Sequence, residues 1–233
     1  MKAILLHHAG GDKYAFRNVR DRLLPEITSI ACELPGRSDR ISEPFIKNMS
    51  EAANDIYEQL QNELSGQYCI IGNSMGAVIG FLLAHRLQQE NKPLPEHLFL
   101  ASRLSPDAYR NEPDFTSVSS DDFWKIVQRY DGVPEQLLAH KELKEFYEPI
   151  LRADFEMLYH FNQTFSDVKP IDISASILCG NNDARNITPE KAEGWRKYFS
   201  ADFEIKSFEG GHFFLYENDE AVKYIKSKMQ IEK

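Results

Sequence analysis

Ser74 stands between two glycines in Gly72-Asn73-Ser74-Met75-Gly76, after the apolar run Cys69-Ile70-Ile71 and before Ala77-Val78-Ile79. A serine hydroxyl attacks a carbonyl carbon only when a base within hydrogen-bond reach takes its proton and a carboxylate orients that base. The pattern G-x-S-x-G between a strand and a helix is the nucleophile elbow, a strained turn that presents the hydroxyl at the edge of a sheet. The same five residues could also be an ordinary turn, which favours glycine and serine for their own reasons. Whether a base and an acid follow at suitable places decides between the two.

Seven histidines are available. His85 falls in the helical stretch after Ser74, and His97 at the start of a strand. His140 and His160 fall in a later helical region. Only His212 comes after the last strand signal, in the glycine-rich loop Gly210-Gly211-His212, and it is the expected base. Where nucleophile, acid and base follow one another in the order Ser, Asp or Glu, His, two carboxylates compete for the middle place. Asp183 follows Ala175–Gly180 closely; Asp107 trails the preceding strand in "SRLSPD". The position favours Asp183 and leaves Asp107 open. An oxyanion formed at the carbonyl needs N–H donors, one from Met75 and a second from the loop after the first strand. "HHAGG", His7 to Gly11, suits that second role because its glycines let the backbone approach closely. His7 and His8 could also be read as metal ligands, but no third ligand accompanies them at metal spacing.

In a parallel sheet the partners of such a serine lie on loops at the carboxyl ends of the strands. Strand and helix signals do alternate: "KAILLHH", "ITSIACEL", "QYCIIG", "EHLFLAS", "ASILCG" and "FEIKSFE" read as six strands. Helical spacing separates most of them. Asn48 with Glu51 resembles a capping box, Thr188-Pro189 starts a helix, and Phe214 to Met229 reads as a closing helix. Such alternation predicts an α/β fold with a mostly parallel sheet covered on both faces. The rhythm breaks between about Glu112 and Ser166, where only helical signals occur. One helix starts at Ser119 or Ser120 and ends at Gly132-Val133-Pro134; a longer one runs from Glu142, with Pro149 as a kink or boundary. Phe115, Phe123, Trp124, Tyr130, Phe146, Tyr147, Phe155, Tyr159, Phe161 and Phe165 crowd this insertion, either lining a channel or fastening it to the domain.

Composition narrows the class. With 233 residues the chain can bury a full core as one domain, 1–233. A formal net charge of -9 speaks against nucleic-acid binding. No apolar run is long enough to span a bilayer, and the start is too short for a signal peptide. Cys32, Cys69 and Cys179 lie far apart in apolar runs, so buried free thiols in the cytoplasm are expected.

Over nearly its whole length the chain resembles the type II thioesterases, free-standing α/β-hydrolase-fold editing enzymes of nonribosomal peptide and polyketide synthases. The resemblance rests on the order of "HHAGGDKYAF", "ELPGRSDR", "GNSMGAVIGF", "LFLASRLSPD", "LRADFEMLYHF", "ILCGNND" and "GGHFFL". It implies a triad of Ser74, Asp183 and His212, oxyanion amides from Ala9 and Met75, and a helical lid formed by the insertion. It further implies hydrolysis of acyl thioesters on the 4′-phosphopantetheine arm of a carrier protein, by a monomer with no metal and no cofactor of its own. Two departures stand out: members of the family usually carry histidine where Asn73 stands, and usually Asp-Pro where Asp183-Ala184 stands. The alternatives are a general carboxylester or acyl-CoA hydrolase on small free substrates, and a non-catalytic binding protein of the same fold. Carrier domains are often acidic, as this chain is, so docking requires local cations; Arg37, Arg40, Arg103 and Arg110 lie near strand ends and are the candidates.

Overall fold

A computed structural model of the chain describes residues 1–229 except 110–113, 115, 130–134 and 167. Six strands form one sheet: β1 (Lys2–Leu6), β2 (Thr28–Ala31), β3 (Tyr68–Asn73), β4 (His97–Ala101), β5 (Ser174–Gly180) and β6 (Phe203–Phe208). Their order is β2-β1-β3-β4-β5-β6, and every pairing is parallel. Register pairs Leu6 with Gly72, Asn73 with Ala101 and Ala101 with Leu178, so the carboxyl ends of the middle strands finish together. The chain leaves β1 towards β2 on one side and continues through β3 on the other. The crevice at such a reversal is where parallel sheets place ligands.

Side chains alternate across the sheet. Ile4, Leu6, Ile70, Leu98, Leu100 and Ile177 pack into one core with α2 (Met49–Leu60) and α3 (Met75–Gln89). Ala3, Leu5, Cys69, Ile71, Phe99 and Leu178 pack into a second core with α1 (Arg17–Leu23), the short helix Phe214–Glu217 and the helix Asp219–Met229. Both faces of the middle of the sheet are therefore dry, with β3 buried at every residue, while the edge strands β2 and β6 are partly exposed. Cys32, Cys69 and Cys179 are buried free thiols, each pushed up to about 12 chiefly by burial.

Between β4 and β5 lie α4 (Ser120–Val127), α5 (Glu135–Ala139) and α6 (Lys141–Thr164). Ser119 is the cap of α4, its Oγ accepting from the Asp122 N–H at 3.2 Å. The expected residues Arg110, Phe115, Tyr130 and Gly132-Val133-Pro134 lie outside the described residues. Pro149 is not a boundary: α6 runs through it. Proline removes only its own N–H from the helix, and the carbonyl it leaves unpaired, that of Glu145, sits on an exposed turn. The stretch Phe214 to Met229 is two helices, because Asn218 leaves helical geometry and its Oδ1 caps the Ala221 N–H at 2.9 Å. Phe123, Trp124, Val127 and Leu151 form a small core that holds α4 on α6, with Tyr147 and Phe155 packed against it. Met157, Leu158 and Phe161 join the main core. Among the described aromatic residues of the insertion, Phe123, Trp124, Tyr147, Phe155, Phe161 and Phe165 thus fasten it down, and Phe146 is 52% exposed.

Candidate active site

Ser74 adopts φ 53° and ψ -109°, a conformation that only a well-determined surrounding sustains. Its N–H donates to the Ala101 carbonyl at 2.8 Å, which anchors the turn to β4. The flanking glycines are there because backbones meet. A Cβ on Gly72 would stand 2.7 Å from the Ala77 nitrogen, and one on Gly76 would stand 2.8 Å from the His7 carbonyl oxygen.

The loops after β5 and β6 bring the other two groups to Ser74. Ser74 Oγ and His212 Nε2 are 3.0 Å apart, and His212 Nδ1 donates to Asp183 Oδ2 at 2.8 Å. Asp183 Oδ1 accepts from the Arg185 N–H at 2.8 Å, so the carboxylate is held at both oxygens. All three side chains are buried. Burial lowers the pKa of His212; the Asp183 hydrogen bond opposes that shift, and nearby Arg185 and Arg103 add to it. The neutral imidazole, the form able to take a proton, is therefore favoured. Asp107 is not brought to His212: its carboxylate pairs with Lys197 Nζ at 2.9 Å and accepts from the Tyr198 hydroxyl at 3.0 Å. Ser102 has a place here that the sequence reading missed. At φ 55° its Oγ donates to the His212 carbonyl at 2.6 Å, tying the histidine loop to β4. A small polar residue directly after a buried strand, in "LASRLS", was the available signal.

The loop after β1 lies beside the elbow. Neither the Ala9 nor the Met75 N–H donates a hydrogen bond within the structure among the described residues. His7 Nδ1 meets the His8 carbonyl at 2.9 Å. His8 Nδ1 shares a hydrogen bond with the Tyr216 hydroxyl at 2.7 Å, and burial takes its pKa down to about 3. Both rings are thus used within the fold. The Tyr216 hydroxyl also lies against Asn73, without a hydrogen bond of normal geometry; the Asn73 side chain is buried with neither polar atom paired. Since Asn73 makes no bond that chemistry at Ser74 would need, Asn73→His should keep kcat within about tenfold. The larger ring in a filled site should cost about 1–3 kcal/mol of stability, read from a denaturation midpoint.

Three of the four arginines expected as docking cations have partners within the fold. Arg37 is buried, and its Nη1 and Nη2 donate to the two oxygens of Asp154 at 2.7 Å each. Arg40 forks onto Asp55 at 2.6 and 2.8 Å and also pairs with Glu43. Arg103 is buried, stacked 3.7 Å from the Tyr109 ring centroid, with Nη2 donating to Asn162 Oδ1 at 2.7 Å. Arg37 and Arg103 are therefore withdrawn from the rim, while Arg40 is partly exposed and already paired with two carboxylates. An open groove of about 520 Å³ borders Gly210, His212, Phe213 and Asn218 and does not include Ser74. Among the described residues no cluster of three or more His, Cys, Asp or Glu could hold a metal ion, and no helix is long and apolar enough to cross a membrane.

A parallel sheet with a serine on the strained turn after its central strand, and an imidazole and a carboxylate on later strand ends, defines an α/β-hydrolase. The profile of the thioesterase domain family matches residues 2–229, and the chain belongs to that family. It is 30% identical to linear gramicidin dehydrogenase LgrE of Brevibacillus parabrevis, over 96% of this chain and 86% of that protein. It is 28% identical to gramicidin S biosynthesis protein GrsT of Aneurinibacillus migulanus, over 94% and 84%. The structure of RedJ, a thioesterase of the prodiginine biosynthetic pathway in Streptomyces coelicolor, superposes with a TM-score of 0.89 at 26% identity, covering 97% of this chain and 85% of RedJ. The family profile, and not the dehydrogenase in one relative's name, sets the class: this chain is a thioesterase.

Proposed function

We propose that the chain hydrolyses acyl or aminoacyl thioesters held on the 4′-phosphopantetheine arm of carrier proteins in a nonribosomal peptide or polyketide synthase, in editing or release. The observation that carries the chemistry is the continuous link from Ser74 through His212 to Asp183, at 3.0 and 2.8 Å. Ser74 Oγ attacks the thioester carbonyl while His212 Nε2 takes its proton; Asp183 holds the ring and stabilises the imidazolium. The Ala9 and Met75 N–H groups receive the oxyanion, and the proton on His212 goes to the leaving thiol. Water, deprotonated by His212, then releases the acid and restores Ser74. The arm belongs to the partner, so this cycle calls for no cofactor or metal held by the chain. We place the protein in the cytoplasm as a monomer, a setting that suits three unpaired thiols. The synthase assignment is supported by relatives named for gramicidin S and prodiginine biosynthesis.

A second reading, a hydrolase of small esters or acyl-CoA, is favoured by one observation: Arg37, Arg40 and Arg103 already have intramolecular partners. Steady-state kinetics on one acyl group carried by a carrier protein, by coenzyme A and by a simple ester separates the two. The carrier-bound substrate should show kcat/KM at least about tenfold higher, mostly through KM, since docking adds binding and not chemistry. Equal values for carrier and coenzyme A would favour the second reading.

A further inference from the structure

The buried pair Arg37–Asp154 joins the loop after β1, the loop after β2 and α6. Asp154 sits on α6, within the insertion, and is 0% exposed. Its Oδ2 accepts from the Gly10 N–H at 2.7 Å, directly after Ala9. Arg37, from the loop after β2, donates to both Asp154 oxygens and also, from Nη1, to the Gly11 carbonyl at 3.2 Å. Gly10 holds φ +76°, and the Leu151 side chain, also from α6, fills the space its Cβ would need. The N–H of Gly10 and the carbonyl of Gly11 are thus both fixed by one ion pair. The Ala9 N–H that the mechanism uses lies one peptide back, in the His8–Ala9 unit, whose carbonyl accepts from the Gly11 N–H at 3.1 Å, so the Gly10–Gly11 segment held by the ion pair in turn holds that peptide.

The geometry points to Asp154 and Arg37 as positioning residues for the oxyanion site, which makes assembly of that site depend on the seating of α6. This rests on the reading of Ala9 as an oxyanion donor. A charged pair is suited to the task because a bidentate guanidinium–carboxylate contact fixes angle as well as distance. Lysine cannot reproduce that fork. The consequence is a coupling: a shift of α6 that admitted substrate would withdraw Asp154 from Gly10, and reseating α6 would restore the donor. Ser74 itself is only 3% exposed.

The test compares Asp154→Asn, Arg37→Lys and the uncharged double variant Arg37→Met/Asp154→Leu with wild type and with Ser74→Ala. Each is assayed on a small acyl thioester and against a trifluoromethyl ketone. That inhibitor accepts Ser74 Oγ at its carbonyl carbon; the serine proton passes to His212, and the carbonyl electron pair becomes an oxyanion in the same amide site. Misplacing a donor costs on the order of 10- to 100-fold, less than deleting one. The single variants should therefore lose that factor in kcat with KM within about twofold, and the ketone inhibition constant should rise in parallel. A residue with a merely structural role would lower the folded fraction and leave kcat per active site and ketone affinity unchanged; that result overturns the inference. Should the single variants fail to fold because one charge is left buried alone, the double variant carries the test. Wild-type kcat in the folded double variant overturns the inference too. If Ser74→Ala is inactive while the Arg37 and Asp154 variants behave as wild type, the positioning role alone falls. If Ser74→Ala keeps full activity, the reading of the whole site falls with it.

Discussion

Ser74→Ala is expected to lower kcat for thioester hydrolysis by about 10⁴- to 10⁶-fold and to leave the fold in place. The change removes one atom, Oγ, whose hydrogen bond is to His212 Nε2 at 3.0 Å. The turn itself is held by the Ser74 N–H on the Ala101 carbonyl, and alanine keeps that bond. Serine and alanine both carry a Cβ, so the strain at φ 53° is the same for either. Without Oγ no acyl-enzyme can form. What remains is the modest rate that oriented amides and binding confer on water attack, so KM should change little. A fluorophosphonate should label wild type at Ser74 and leave the alanine variant unlabelled. An undiminished rate, or an adduct on another residue, would remove Ser74 from the mechanism, and absence of labelling in wild type would favour a non-catalytic member of the fold.

Much of this arrangement was legible in the sequence because it is carried by local patterns. Five of the six strands are short, mostly apolar runs and the sixth, Phe203–Phe208, alternates apolar with polar residues; each appears in the sheet. Thr188 and Asn48 carry cap chemistry in their own side chains, and both cap helices. Ser74, Asp183 and His212 each follow a strand, so a parallel sheet alone suffices to bring them to one edge. What was not legible depends on distant partners. Arg37 reads as a surface residue in "ELPGRSDR", yet its carboxylate lies 117 residues away on α6. Arg103 is buried by Asn162, 59 residues on. Tyr109 stacks on Arg103 from six residues on, but the buried polar partner of each arginine comes only with α6. At Pro149 the boundary alternative fell, since the helix continues through the proline on an exposed turn. The aromatic insertion was ambiguous by nature, because channel-lining and core-filling residues are of the same kinds.

The choice between two acids can be decided by one pair of amide substitutions. Asp183→Asn is expected to cost roughly 10⁴-fold in kcat, and Asp107→Asn little. Asp183 Oδ2 accepts from His212 Nδ1, which keeps Nε2 unprotonated and turned to Ser74. Asparagine is the same size, and its Oδ1 can still take the Arg185 N–H now bound by the carboxylate. Its amide nitrogen then faces Nδ1 as a donor. The imidazole responds by placing its proton on Nε2, where it can no longer accept one from the serine. The nucleophile, the fold and the oxyanion amides all remain, and only the tautomer is wrong. The charge that stabilises the imidazolium is lost as well, and with it the influence that opposes the fall of the His212 pKa. Asp107, by contrast, serves Lys197 and Tyr198 in a half-exposed pair, a contact worth under about 1 kcal/mol of stability. Its amide variant should show a slightly lower denaturation midpoint and near wild-type turnover. A large loss of kcat at Asp107 with activity kept at Asp183 would move the orienting acid to the loop after β4, and would require the His212 ring to adopt another partner during turnover.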